Sequence, residues 1–457
     1  AGSSGSAGSS GAAGSSGSGG SPTCDAGTTT TQWATTCPTT APTCVAGTWK
    51  AGGPDPDHSN FSLIKESTHF AIYSDEAISA TTAQSALDTL ENVVWASYFG
   101  SPIFFPEPLC NSSTKTKVSV HIHSDWGLSG GAWSSTRMGM WMGPGGLSDH
   151  WGLAHEFMHG VQSVSSGLSC GGSTNYCGWL YESHANFMPH QLAEYRSNVH
   201  CSEMLVNAPH LYLGSTRDRY CNWQFMEYLK DKYCYKAVND IWATTSTSND
   251  PFNNIMTTRG WSISQLNDFM GEWAMHNVTW DYKNPPPTSG TNQSSVYRSN
   301  YGSITDNTSR AERRVRATQL DPLDSSWASN RRFVVPSGWA PQRWGYNIVR
   351  LYPEANATSV TVTFRGVVQA GANSDWRWGL VATDSAVTTP RYSAMQKGSD
   401  AQLTFCVNPG EALFLVVMAT PSVQQHVNWD QLYNTLYRYP YMVELKNAWP
   451  SGFKSRS

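Results

Sequence analysis

The alternation of apolar and polar positions becomes regular only from about Phe61. His69–Asp75 (HFAIYSD) then has the composition of a strand. From Thr81 to Phe99 the apolar residues Ala86, Leu87, Leu90, Val93, Val94 and Tyr98 recur at three- and four-residue spacing, which predicts an amphipathic helix. Lys117–Ser124 (KVSVHIHS) alternates as a strand, and Arg137–Met142 (RMGMWM) is a further extended segment between glycine-rich turns. Helical spacing then dominates in Leu153–Val164, Leu180–Tyr195, Asp218–Tyr233 and Ser264–His276. Strand, helix, strand, strand and then several helices predict two lobes of one domain over 55–285. The run Asn284–Gly290 (NPPPTSG) stops helix and sheet alike, and 286–324 is expected to be a linker. Beyond it come seven short β-rich runs: Arg332–Val335, Tyr346–Tyr352, Ser359–Arg365, Trp376–Thr383, Gln402–Val407, Ala412–Ala419 and Tyr441–Leu445. Their spacing predicts an all-β sandwich over 325–450 and an α+β chain overall.

Composition changes this picture mainly at the start of the chain. Ala1–Ser21 contains only Ala, Gly and Ser, and Thr23–Thr48 is rich in Thr, Pro and Cys. Neither stretch can bury enough surface to offset backbone ordering, so 1–54 is expected to be a linker, with Cys24, Cys37 and Cys44 able to pin its second half to the body. The ten cysteines include no Cys-x-x-Cys pair, which favours disulfides and an oxidising compartment over a zinc ribbon. The chain is expected to be secreted and extracellular, its leader already removed. With 30 basic and 34 acidic side chains and a net charge of -4, an electrostatic nucleic-acid or membrane-surface partner is disfavoured. The longest apolar run, Ala412–Ala419, is sized for a strand and too short for a membrane span.

The chemistry is concentrated in Gly152-Leu-Ala-His155-Glu156-Phe-Met-His159-Gly-Val161. Positions i and i+4 of a helix share a face, so both imidazoles address one point where Zn²⁺ can sit, while Glu156 can address a water there. Chance would produce this motif about 0.01 times in a chain of this composition. A catalytic zinc takes three protein ligands, and Glu182, in Trp179-Leu-Tyr-Glu182-Ser-His-Ala-Asn186-Phe, is the expected third. His184 is the rival, but a helix presenting Glu182 inward turns His184 about 200° away. Glu194 and Glu203 are more distant alternatives. Asn186 lies on the face of Glu182, where its oxygen could hold the outer N–H of a ligand imidazole.

His-Glu-x-x-His followed by a glutamate on the next helix resembles the gluzincin zinc metallopeptidases. The lines AHEFMHGVQ, WLYESHANFMPHQ, EWAMHNVTWDY and APQRWGYNIVRL look closer still to the secreted Svx/AvrXca-type group associated with bacterial plant pathogens, over about residues 60–440. The resemblance implies a zincin-like, two-lobed peptidase domain and secretion. It also implies His155, His159 and Glu182 as ligands of Zn²⁺ and Glu156 as base. Asn186 stands where the commonest gluzincins carry Asp. Gluzincins also draw an oxyanion donor from a downstream segment; Tyr220 is the first candidate here and His210 the second. Arg137–Met142 resembles the edge strand on which zincins lay out substrate.

The function expected from these residues is zinc-dependent endopeptidase activity on an extracellular protein or glycoprotein, with Glu156 activating water. Two other readings compete: a carbohydrate-binding or adhesive protein, and a zinc-dependent glycan-processing enzyme. The first is motivated by 20 Trp, Trp376 and Trp378 among them on one strand face of the C-terminal unit, since stacked indoles bind sugars, and the second would use the same zinc. Ser129 and Ser169 each sit in a Gly-x-Ser-x-Gly string but lack the strand-before, helix-after context that a nucleophile elbow needs.

Overall fold

The computed structural model describes residues 24–165, 167–168, 175–198, 208–215, 220, 222–242, 250–283, 293–301 and 317–453. Ser169, Glu203 and the Gly/Ser/Ala stretch lie outside them. In chain order the first lobe contains β1 (Thr48–Lys50), β2 (Ser62–Glu66), β3 (Phe70–Ser74), α1 (Ala80–Asp88), α2 (Ala96–Phe99), β4 (Thr114–Thr116), β5 (Val118–Ile122), β6 (Ser129–Ser134) and β7 (Arg137–Met142). A π-helical segment, Thr89–Trp95, joins α1 to α2, so the helix expected over 81–99 is present but underwound in its middle.

The sheet runs β2-β3-β5-β7-β6, with β3, β5 and β7 parallel and antiparallel strands at both edges. Strands β3 and β5 are buried at every position, as parallel strands covered on both faces must be. Helices cover one face. On the other face, Phe61 and Trp126 pack with Tyr73. Two strands escaped the periodicity. β2 is largely exposed, and β6 (SGGAWS) reads as a loop because its glycines carry no alternation.

The helical lobe contains α3 (His150–Ser165), α4 (Gly178–His190), α5 (Trp223–Asn239), α6 (Pro251–Arg259), α7 (Ile263–His276) and α8 (Gln293–Tyr301). Helix α8 falls within the stretch expected as linker, and its Tyr297 is buried against Trp223 and Tyr282.

The C-terminal unit is a sandwich of two antiparallel sheets. Its strands are β8 (Asp321–Pro322), β9 (Arg332–Val334), β10 (Tyr346–Pro353), β11 (Ser359–Gly366), β12 (Ser374–Thr383), β13 (Pro390–Tyr392), β14 (Gln396–Lys397), β15 (Asp400–Cys406), β16 (Ala412–Pro421), β17 (Tyr441–Lys446) and β18 (Ala448–Pro450), with a short α9 (Trp327–Asn330) between β8 and β9. One sheet runs β13-β12-β16-β10-β18 with β14 on β12; the other runs β15-β11-β17-β9-β8. Strand β11 alternates buried and half-buried residues, as a sheet with one wet face should. By contrast β16 is buried at all ten positions.

The second face of β12, β16 and β10 is covered by α7. Phe269, Trp273 and Met275 share one core with Tyr346, Ile348, Phe414, Val416 and Met418. Polar anchors fix the seam: Asn267 Nδ2 donates to the Pro421 carbonyl (2.7 Å), Trp344 Nε1 donates to Asn267 Oδ1 (2.9 Å), and Asn277 Nδ2 donates to Tyr346 Oη (2.9 Å). Trp376 and Trp378, considered for sugar stacking, are 0% and 1% exposed and pack against Phe364 in the sandwich core. An indole enclosed in this way has no free face for a sugar.

The Thr/Pro/Cys stretch is a strap fastened at all three of its cysteines. Cys24 pairs with Cys406, Cys37 with Cys234 and Cys44 with Cys110. Between the first two anchors Asp25 bridges Phe405 and Thr28 bridges Tyr392, and after the third β1 pairs in parallel with β4. No described helix is long and apolar enough to cross a membrane.

Candidate metal centre

Helix α3 forms where an apolar stripe of Leu153, Ala154, Phe157, Met158 and Val161 turns into the first core, and Asp149 Oδ1 caps it by accepting the Gly152 N–H at 2.8 Å. The opposite face carries His155, Glu156 and His159. Strand β6 lies directly against this helix: a Cβ on Gly130 would come within 2.0 Å of the Glu156 carbonyl oxygen, and one on Gly160 within 3.1 Å of the Gly131 carbonyl oxygen. Only glycines allow so close an approach of strand and helix.

Strand β6, and not β7, is therefore the outer strand beside the helix. Strand β7 is paired on both sides, by β5 and β6, and its Met138, Met140 and Met142 point into the core. The expectation that Arg137–Met142 is an edge strand is corrected: β6 takes that place, with Ser129 at its start.

Three donor atoms converge above α3. His155 Nε2 and His159 Nε2 are 3.1 Å apart, and Glu182 Oε2 on α4 lies 3.5 Å from the first and 3.3 Å from the second. A tetrahedral ion with bonds of about 2.0–2.1 Å has ligand–ligand edges of about 3.3–3.4 Å, so these atoms already stand at zinc spacing. Glu182 Oε2 is buried and makes no hydrogen bond. Its other oxygen accepts from Tyr220 Oη at 3.1 Å. The donor set, two imidazoles and one carboxylate with an orphaned oxygen between them, fits a zinc ion. Glu156, 8% exposed, completes a group whose offered atoms, with those of His155 and His159, lie within 4.8 Å of one another.

The electrostatics divide the two carboxylates. Burial raises the pKa of Glu156, with the two imidazoles opposing it only in part. Burial would raise Glu182 too, but the adjacent imidazoles outweigh it and hold Glu182 well below the usual carboxylate range.

Gln162, which the motif does not include, orders the second imidazole. Its Nε2 donates to the Tyr181 carbonyl (3.0 Å) and faces His184 Nδ1 (3.2 Å), so its Oε1 is the atom turned to His159 Nδ1 at 3.0 Å. A carbonyl oxygen can only accept; His159 thus carries a proton on Nδ1, and Nε2 is the nitrogen it turns to the centre. Asn186, expected in this role, instead donates from Nδ2 to the Tyr220 carbonyl at 2.7 Å and fixes the tyrosine. A long polar side chain three positions past the second histidine, one helical turn on from it, was the available signal for Gln162.

The other candidates sort by position. Tyr220 reaches the site, its ring 6.4 Å from that of His155, but its hydroxyl proton is committed to Glu182. His184 is fully buried among Phe105, Phe187 and Trp242, faces Gln162, and has its pKa lowered to about 3, chiefly by burial. His210, a second-choice oxyanion donor, packs on Trp339, and its carbonyl accepts from Gln342 N (2.7 Å) at the seam with the sandwich. Sequence spacing could not reveal that placement.

A mixed sheet, a helix pair and a sandwich, with two imidazoles and a carboxylate gathered at the helix pair, define the class: an α+β, disulfide-strapped protein. The chain belongs to a family of unknown function (DUF6055), whose model matches residues 54–452. No curated protein matches it. Among solved structures it is similar to the stem and receptor binding domain of the spike protein P1 from bacteriophage PM2, at 14% identity and a TM-score of 0.12, over 29% of this chain and 63% of that one. So slight a likeness carries no argument about fold or function.

Proposed function

We propose that this protein is a secreted zinc-dependent endopeptidase of gluzincin type, holding the metal through His155, His159 and Glu182. The observation that carries the reading is the spacing of three donor atoms, 3.1, 3.3 and 3.5 Å, around an orphaned carboxylate oxygen. The motif's resemblance to gluzincins, the sheet lobe facing a helical lobe and the glycine-bearing outer strand β6 beside α3 support it.

Bound zinc would supply Lewis acidity and a water acidified toward neutrality. Glu156, made more basic by burial, takes the water's proton at its carboxylate and later returns it to the leaving amine. The free edge of β6 offers backbone donors and acceptors to an extended polypeptide substrate. Tyr220 and Gln162 keep Glu182 and His159 oriented. The disulfides Cys24–Cys406, Cys37–Cys234 and Cys44–Cys110 agree with an extracellular site of action.

The test is zinc analysis of the purified chain, followed by digestion of an unstructured protein library with and without chelator. About one zinc per chain and chelator-sensitive cleavage are expected. Metal-free protein, or cleavage indifferent to chelator, would overturn the reading; release of sugars without peptide cleavage would move it to glycan processing.

A further inference from the structure

The connection between β16 and β17 leaves the sandwich and reaches the start of α4. Trp429 N donates to the Asn175 carbonyl at 2.6 Å. Its indole sits on Gly178, the first residue of α4: a Cβ there would lie 2.6 Å from Trp429 Cγ and 2.7 Å from Cδ2. Any larger residue at 178 would displace the ring.

The same connection holds the neighbouring helix. His426 stacks on Tyr176 with ring centres 4.6 Å apart and places Nδ1 at 2.7 Å from Asp250 Oδ2. Gln424 Nε2 donates to that oxygen at 2.9 Å, while Asp250 Oδ1 caps α6 through Phe252 N. Phe252 in turn stacks on Trp179, the second residue of α4. The first turn of α4 is thus gripped from both sides, just after Cys177, which is itself held in a disulfide.

Gly178 and Glu182 are four residues apart and share a face of α4. A shift of the first turn is therefore a shift of the carboxylate that completes the metal centre. We propose that residues 424–429 of the sandwich are a clasp and that Trp429 is a positioning residue, setting α4 so that Glu182 stands at ligand distance from His155 and His159. The inference rests on the zinc reading above, and it makes the sandwich a structural part of the metal centre.

The experiment uses the full chain with Trp429→Ala, Trp429→Phe and Gly178→Ala, and with Leu432→Ala, 64% exposed in the same connection, as the control. Zinc affinity is read by chelator competition, turnover as kcat and KM separately, and helix order by hydrogen exchange on the metal-free chain. Trp429→Ala should bind zinc about 10-fold or more weakly, as for residues that orient metal ligands. It should lose kcat more than KM and exchange faster over 178–190 while 150–165 keeps its protection. Gly178→Ala should reproduce this pattern, Trp429→Phe should recover most of the affinity, and Leu432→Ala should match the parent.

The inference is overturned if Trp429→Ala retains parental zinc affinity and α4 exchange, or if protection is lost uniformly over the chain. Should Trp429→Ala not fold, parental behaviour of both Gly178→Ala and Trp429→Phe overturns it equally. If the parent chain takes up no zinc, the functional reading fails by itself, and the exchange pattern still decides the clasp.

Discussion

Replacing Gln162 separates the metal from the fold in a way that few other changes would. The side chain is fully buried and serves three partners, accepting from His159 Nδ1 and donating toward the Tyr181 carbonyl and His184 Nδ1. Gln162→Leu fits the space but leaves the buried partners unsatisfied, at about 1–3 kcal/mol for each group stranded. It also frees His159 to change tautomer, so zinc affinity should fall by about 10- to 100-fold, or about 1.4–2.7 kcal/mol. Gln162→Glu keeps an acceptor, and a stronger one, on His159 Nδ1, but it loses both donors and turns an oxygen toward the Tyr181 carbonyl. It should therefore lower the melting temperature at least as much as Gln162→Leu while holding zinc within about threefold of the parent. Chelator competition and thermal unfolding of the metal-free proteins, run side by side, test the pattern. Parental zinc affinity in Gln162→Leu, or an equal loss in both variants, would refute the assignment of the His159 tautomer.

Glu156→Gln should keep stoichiometric zinc and lose peptidase activity by about 10²-fold or more, because an amide cannot take the proton; zinc loss on metal analysis would instead make Glu156 a ligand. Tyr220→Phe should weaken zinc by about 10-fold through the freed Glu182; unchanged zinc with a large fall in kcat would return Tyr220 to oxyanion duty. His121, fully buried, accepts the Asp55 N–H on Nε2 and has its pKa lowered to about 4, chiefly by burial. The unfolded chain then binds the proton first, so stability is full above about pH 6.5 and falls by about 3 kcal/mol as pH drops toward 4. A His121→Gln variant whose melting temperature follows the same acid profile as the parent would contradict this. Truncation after residue 285 should yield aggregating protein, because it uncovers Phe269, Trp273 and Met275; a soluble, zinc-loaded fragment on size-exclusion chromatography would contradict the shared core.

What was legible in the sequence was whatever repeats at a fixed period or a fixed spacing. The strand at 137–142 matches its expected bounds, and the 153–164, 264–276 and 359–365 segments shift by only a few residues, because burial of one stripe or one face writes itself into the side chains. The two histidines and Glu182 were legible because one helix turn and one return helix suffice to bring them together. Strand β6 was not, since its glycines report closeness to α3 rather than a buried face. Gln162 was passed over because its partners come from two helices and only folding shows that its amide bridges them. Asn186 was read as an acceptor for an imidazole; an amide side chain can equally donate, and here it donates to Tyr220.

The sandwich was expected to be an accessory unit joined by a linker, since its strands alternate like those of an independent domain. Full burial of β16 already contradicts independence, because a free sandwich leaves one face of each sheet to water. The outer face of that sheet is instead the floor on which α7 lies, and α7 precedes the Pro-rich break while β16 follows it. The strap crosses the same seam and is tied at Cys406 in the sandwich and at Cys234 in α5. Core, polar seam and disulfides therefore all act against separation of the two units. A sandwich held this firmly is poorly suited to swing as a delivery module, and it is well suited to hold an element still. The element it reaches is the first turn of α4, one turn from the carboxylate on which the proposed metal centre depends.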